Sequence, residues 1–192
     1  LLKAIDETGS LSKAAKEFVE KNKGTRCFLE RELEKAKRIY KNAYEQNDLI
    51  ELVKNTDYQE IACFVHRQGY RSKCKADALV LPKDDGTDGI IWDVKTTGDF
   101  FEFAKSARKY GYHMGDYWYR QIFQQAFGRR FEYRLLVIEK NYPFTVVEYE
   151  FSERVLKQGK QWTEEAFAKY CVGKDTGVWR KPDTKILLDW GY

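Results

Sequence analysis

Three segments rich in β-branched and aromatic residues, 61–67, 70–81 and 90–97, follow one another with only short breaks, which leaves little freedom in how the chain folds. Gln68 and Gly69 alone separate the first two, room for nothing but a tight turn, so the pair predicts an antiparallel hairpin. The break before the third, 82–89, holds Pro82, Asp84, Asp85, Gly86 and Asp88, residues that favour turns through restricted or left-handed backbones and side-chain hydrogen bonds to nearby N–H groups. The third segment then completes a three-stranded antiparallel meander. Such a sheet must bury a face, so the rest of the chain has to supply covering layers.

Helical spacing supplies them. Residues 10–22 open on Ser10, a cap residue, repeat Leu11, Ala14, Ala15, Phe18 and Val19 on one face, and end at Gly24. A second pattern over 27–47 spaces Phe28, Leu33, Ala36, Ile39, Tyr40 and Ala43 among charges, and a short helical piece, 49–54, follows. Beyond the meander, Asp99 is placed to cap a helix reaching Tyr110, and a helix over 115–127 stops at Gly128. Residues 133–139 and 145–151 predict two strands joined around Asn141-Tyr142-Pro143, Ser152 caps a last helix to about Tyr170, and 173–192 reads as irregular. The expectation is an α/β fold with a central mixed sheet of about five strands flanked by helices. One domain spans 1–192, with helical support over 1–56, the core over 57–151 and a C-terminal helix and tail over 152–192. Leu1 already stands in helical sequence, so the chain is expected to be a piece of a longer one, truncated at its N-terminus.

A 192-residue chain that is 43% hydrophobic and 16% aromatic can bury a core and is not disordered. No apolar run approaches the ~20 residues of a membrane span, and no secretory signal opens the chain, so a soluble, intracellular protein is expected. The net charge of +4, from 34 Lys and Arg against 30 Asp and Glu, permits nucleic-acid binding without demanding it. Cys27, Cys63, Cys74 and Cys171 form no CxxC pair, which argues against a zinc ribbon and predicts reduced structural thiols.

Side chains alternate along a strand, so Asp93 and Lys95 share one face while Trp92 and Val94 take the other. Asp77, on the neighbouring strand, can bring its carboxylate to that of Asp93, and two close carboxylates repel unless a cation joins them. Mg²⁺, or Mn²⁺ in its place, suits two aspartates supplemented by the Val94 carbonyl, waters and phosphate oxygens. Lys95 would orient or deprotonate a water and stabilise charge on the phosphate. A D-x-K triplet is common by chance, and a surface ion pair is its ordinary meaning; the surrounding sequence supports the chemical reading.

Ala76-Asp77 and Asp93-Val94-Lys95, on the second and third strands of a meander and followed by a helix, resemble the PD-(D/E)xK nuclease superfamily. The continuation through Thr96-Thr97, Tyr112-His113, Asp116-Tyr117-Trp118-Tyr119 and Phe127-Gly128 resembles its RecE-type (exonuclease VIII) branch and RecB-like relatives. The resemblance implies a restriction-endonuclease-like core, with Asp77 and Asp93 as metal ligands and Lys95 as the catalytic lysine. Tyr119 would face the scissile phosphate, and Glu60 would be the upstream acid. Gly115 stands where the family has a glutamine, a role then open to Gln121, Gln124 or Gln125. The family's N-terminal histidine matches neither His66 nor His113 and would lie before Leu1. His113, Thr96, Gln121 and Arg120 complete the candidate DNA contacts.

The same resemblance implies a Mg²⁺-dependent, ATP-independent exodeoxyribonuclease. It would act on double-stranded DNA ends, 5′ to 3′, and leave 3′ single-stranded tails for a RecT-like annealing protein. The relatives form rings, which implies a homo-oligomer such as a tetramer, of phage or prophage origin and working in the cytoplasm of a bacterial host, with no membrane partner. Cys171 lacks the clustered companions of the iron–sulfur branch, so no such cluster is expected. A site-specific endonuclease, and an inactive DNA-binding or assembly module, are the alternatives.

Overall fold

A computed structural model of the chain describes residues 13–23, 29–44 and 48–179. The meander forms as the turn chemistry predicts. Strands β1 (Tyr58–Arg67) and β2 (Tyr70–Val80) are antiparallel, with Gln68 and Gly69 both at positive φ in the turn, and β2 pairs antiparallel with β3 (Gly89–Thr97). Strand β4 (Phe131–Glu139) lies parallel to β3 in the register Asp93↔Leu135, and β5 (Val146–Tyr149) closes the edge antiparallel to β4. The result is a five-stranded mixed sheet in the order β1-β2-β3-β4-β5.

Parallel pairing of β3 and β4 requires a crossover, made by α4 (Phe103–Lys109) and α5 (Tyr112–Phe127). Helix α5 lies over β1, β2 and β4 and carries α6 (Glu153–Thr176) on its outer side. That face buries Ile91, Leu135 and Val137 against Phe103, Ile122 and Phe123. The opposite face buries Trp92, Leu136 and Ile138 against Ile50 of α3 (Asp48–Lys54). Strand β4 is therefore apolar on both sides, as a central strand between two layers must be. Helices α1 (Lys13–Lys21) and α2 (Glu30–Ile39) precede these, and α2 passes into a π-helical turn, Tyr40–Tyr44.

Several predicted boundaries move. Asp99 accepts the Phe101 N–H through Oδ1, at 2.7 Å, within a turn, and α4 begins only at Phe103. Helix α5 starts at Tyr112 rather than 115, because the left-handed residue that sets its entry is Gly111, φ 68°. Ser152 occupies the cap position of α6 in extended backbone, but its hydroxyl makes no cap hydrogen bond. The same helix runs past Tyr170 to Thr176, where left-handed Gly177, φ 70°, ends it, and Trp179 packs where a Cβ on Gly173 would stand, at 2.6 Å. Ser10, Gly24, Cys27, Phe28 and the tail after Trp179 lie outside the described residues. Among those described, Cys63, Cys74 and Cys171 are free thiols, and no helix is long and apolar enough to cross a membrane.

Candidate active site

Strand alternation does not run unbroken through the hairpin. Cys74 and Ala76 face α5, and so does Leu79, three positions on, whereas Ala78 faces α3. The phase slips at Asp77. Across from it in the register between Gln59↔Ala78 and Ile61↔Ala76 stands Glu60, with φ 54°. A non-glycine residue in that region costs on the order of 1–3 kcal/mol, so the surrounding ladder holds it there. Beside this slip the β2–β3 ladder stops at Ala78↔Trp92. The next N–H of β3 on the side facing β2, that of Val94, is taken by Asp77 Oδ2 at 2.6 Å in place of a backbone carbonyl.

Asp93 and Lys95 project from β3 toward α5. Asp93 is only 7% exposed, and both its oxygens are engaged: Lys95 Nζ pairs with Oδ1, and the Tyr133 hydroxyl donates to Oδ2. Lys95 also lies over the Tyr112 ring, 5.3 Å from its centroid. Tyr119, from α5, packs edge-on against Tyr133 with ring centroids 5.7 Å apart. Burial, reinforced by the Asp93 carboxylate, pushes the Tyr119 phenol up to about 12 and raises Tyr133 as well, so both remain neutral donors. Asp77 is raised by burial and by the nearby Asp93 carboxyl, against the opposing pull of the Val94 N–H and Lys95. Two carboxyls thus meet where β2 parts from β3, with an ammonium on one of them.

Glu60 shares with Asp77 and Val94 a cavity of about 310 Å³ floored by Ile50, Leu136 and Ile138, but its carboxylate is exposed and paired with Lys75. The structure does not bring it onto the Asp77–Asp93 pair. His113, expected at the DNA, is 2% exposed and packed edge-on against Trp162 and Phe151, which leaves it no surface. Arg120 is tied to Asp116 one turn earlier on α5. Gln121 lines a cleft with Arg67, Gln124 and Gln125, away from the carboxyls, and Thr96 is exposed on the face of β3 opposite Lys95. Tyr117 bonds Glu164, and Trp118 donates to the Lys73 carbonyl at 3.0 Å, so Tyr119 alone of the three aromatics reaches the site.

Tyr133 is the site residue that sequence reasoning missed. Its place follows from the parallel β3–β4 register, and no local pattern marks it. A Cβ added to Gly115 would meet only the Tyr133 hydroxyl, at 3.9 Å, so the helix position lacking the glutamine opens onto that hydroxyl.

Among the described residues no group of three or more His, Cys, Asp or Glu side chains converges as a metal site. The donor set that does form, the carboxyls of Asp77 and Asp93, is of the hard-oxygen kind that Mg²⁺ takes when waters and substrate complete its octahedron. A cation between Asp77 and Asp93 would also relieve the repulsion that raises Asp77.

No curated protein matches the chain. Among solved structures, a protein named "Putative exonuclease" from Eubacterium rectale superposes with a TM-score of 0.60 at 13% identity, over 97% of this chain and 66% of that one. The likeness is one of fold, and the chain spans just under two thirds of that protein's length. The structure of SSO0001 matches at a TM-score of 0.35 and 15% identity, over 83% of this chain and 91% of that one, too distant to bear on the argument. Residues 7–182 match the sequence family described as "PDDEXK-like domain of unknown function (DUF3799)". A match of that length, on a five-stranded mixed sheet flanked by helices, decides the family: the chain belongs to the PDDEXK-like domains.

Proposed function

We propose that the chain is a Mg²⁺-dependent deoxyribonuclease of the RecE type, an exonuclease acting on duplex ends. The observation that carries the hydrolytic reading is the meeting of the Asp77 and Asp93 carboxyls at the gap between β2 and β3, with Lys95 in contact with Asp93. When bound there, the cation polarises the phosphate and lowers the pKa of a water. Asp77 and Asp93 would hold it, with the Val94 carbonyl as a third donor, while the Val94 N–H and Tyr133 hydroxyl keep the two carboxylates oriented. Lys95, in contact with Asp93, is placed to align the attacking water and to meet the charge that grows on the phosphate. Tyr119 stays protonated and offers its hydroxyl as a neutral hydrogen-bond donor to the phosphate. The RecE-type reading adds 5′-to-3′ degradation without ATP, 3′ single-stranded tails, a single-strand annealing partner and a ring of identical subunits.

Linear duplex DNA labelled at the 5′ or the 3′ end, and a closed circle, incubated with Mg²⁺ and no ATP, test this reading. The linear substrate is expected to lose nucleotides from its 5′ ends while the circle survives. Lys95→Ala is expected to reduce the rate by about a hundred-fold or more. Cleavage of the circle would assign a site-specific endonuclease instead, and an inert protein would overturn the enzymatic reading.

A further inference from the structure

The β1–β2 hairpin continues past the body of the sheet. Strand β2 pairs with β3 only from Ala78 to Val80, yet its ladder with β1 continues to Arg67↔Tyr70. From Asp77 outward it is a two-stranded arm whose inner face, with Cys63, Cys74 and Ala76, packs under α5. Its outer face has another composition. Ala62, Phe64 and His66 on β1 and Arg71, Lys73 and Lys75 on β2 are all exposed, and the register sets Lys75 across from Ala62, Lys73 across from Phe64 and Arg71 across from His66.

Alternate residues on a strand lie ~6.8 Å apart, so the three cations form a straight row. Lys75, at the root, pairs with Glu60, while among the described residues Arg71 and Lys73 have no acidic partner. Phe64 is 63% exposed and stands beside the middle of that row, across from Lys73. Nothing in the fold requires this: three like charges in line repel one another, and an apolar ring gains nothing from water. The row ends two residues from Asp77.

We propose that the outer face of the arm binds a single strand of DNA and leads it to the Asp77–Asp93 gap. Arg71 and Lys73 neutralise successive backbone phosphates, and Phe64 stacks on a base. The aromatic ring selects a single strand, because a paired and stacked base offers no free face to it. The proposal deepens the nuclease reading and rests on it for where the strand leads, but binding is measured apart from cleavage.

The test is fluorescence anisotropy of a labelled thymidine oligonucleotide, and of a duplex of equal length, in EDTA across a range of salt concentrations. Wild type is compared with Arg71→Ala/Lys73→Ala, with Phe64→Ala, and with Lys169→Ala/Lys174→Ala, a charge-matched change on α6. The arm double variant is expected to flatten the slope of log K against log salt for the single strand by about 1.4, two phosphates' worth. Phe64→Ala is expected to weaken single-strand binding about five- to a hundred-fold at unchanged slope, and duplex binding far less. The α6 variant is expected to behave as wild type. Arg71→Lys/Lys73→Arg and Phe64→Trp should restore slope and affinity, which separates lost contacts from a damaged fold. Arm variants that bind like the α6 control, or a wild type that does not bind single strands, would overturn the proposal whether or not the protein cuts DNA. A wild type that binds through the arm yet cuts no DNA would leave the arm standing and sink the nuclease reading.

Discussion

Asp93 is held by two donors of different kinds, and they are separable. Lys95 is a charged ammonium on a long flexible chain, whereas the Tyr133 hydroxyl is neutral and its ring is packed against Tyr119. Tyr133→Phe removes only that hydroxyl and leaves a buried carboxylate oxygen unpaired, a loss of about 1.5–3 kcal/mol for a hydrogen bond to a charged group. We expect Tyr133→Phe to stay folded and to bind Mg²⁺ about ten- to a hundred-fold more weakly in isothermal titration calorimetry. Unchanged Mg²⁺ affinity would remove Tyr133 from any positioning role. Asp77, Asp93 and Lys95 were legible in the sequence because their relation is local to one hairpin and the next strand. Tyr133 was not, because it meets Asp93 only through a parallel pairing made across two intervening helices. His113 misled for the opposite reason: its position in a motif said nothing about the packing of α6 over it.

Among the elements, α5 and α6 show how a glycine's meaning depends on its neighbour. A Cβ at Gly159 would lie 2.2 Å from the His113 carbonyl oxygen, a backbone atom that cannot swing aside, so α6 approaches the start of α5 only because residue 159 has no side chain. At Gly115 the nearest atom is 3.9 Å away. Replacing a helix-interior glycine by alanine gains about 1 kcal/mol of helix propensity, while overpacking costs about 1–3 kcal/mol or more. Gly159→Ala is therefore expected to lower stability and Gly115→Ala to raise it, as read by urea denaturation midpoints; the same sign for both would refute the packing argument. The strands were predicted well because alternation and turn residues act locally, and Gly128 ended α5 where expected. The slip at Glu60 and Asp77 was invisible, since it depends on a strained backbone held by two neighbouring strands. Gly115 and Gly173 were misread as a helix start and a helix end because their reasons are tertiary, the first facing Tyr133 and the second Trp179.

For the whole molecule, the balance of buried charge gives a pH signature. Asp116 lies between α5 and the sheet, and burial outweighs the neighbouring Arg120 to push its carboxyl up to about 6. The folded state thus holds this proton more tightly than the unfolded chain does. The stability it contributes is complete in acid and is lost as pH rises through the window between an ordinary carboxylate and about 6. Asp116→Asn removes that dependence, so thermal unfolding from about pH 4 to about pH 7 is expected to show the variant gaining on wild type as pH rises, then levelling off. A constant difference across that range would mean that Asp116 titrates as if exposed. The projecting hairpin has a different kind of consequence. It is fixed at Glu60 and Asp77, and at its other end Gln68 and Gly69 form an exposed turn beyond Arg67 and Tyr70, which contact α6. Growth at the turn by two residues on each strand would add ~6.8 Å of reach and one more outward pair, leaving the carboxylates where they are. Growth by one residue would only enlarge the turn, because a single residue has no cross-strand partner and adds no outward pair. The hairpin is thus a ruler graduated in residue pairs, along which descendants of this sequence can change how much of a strand they grip while keeping the same chemistry.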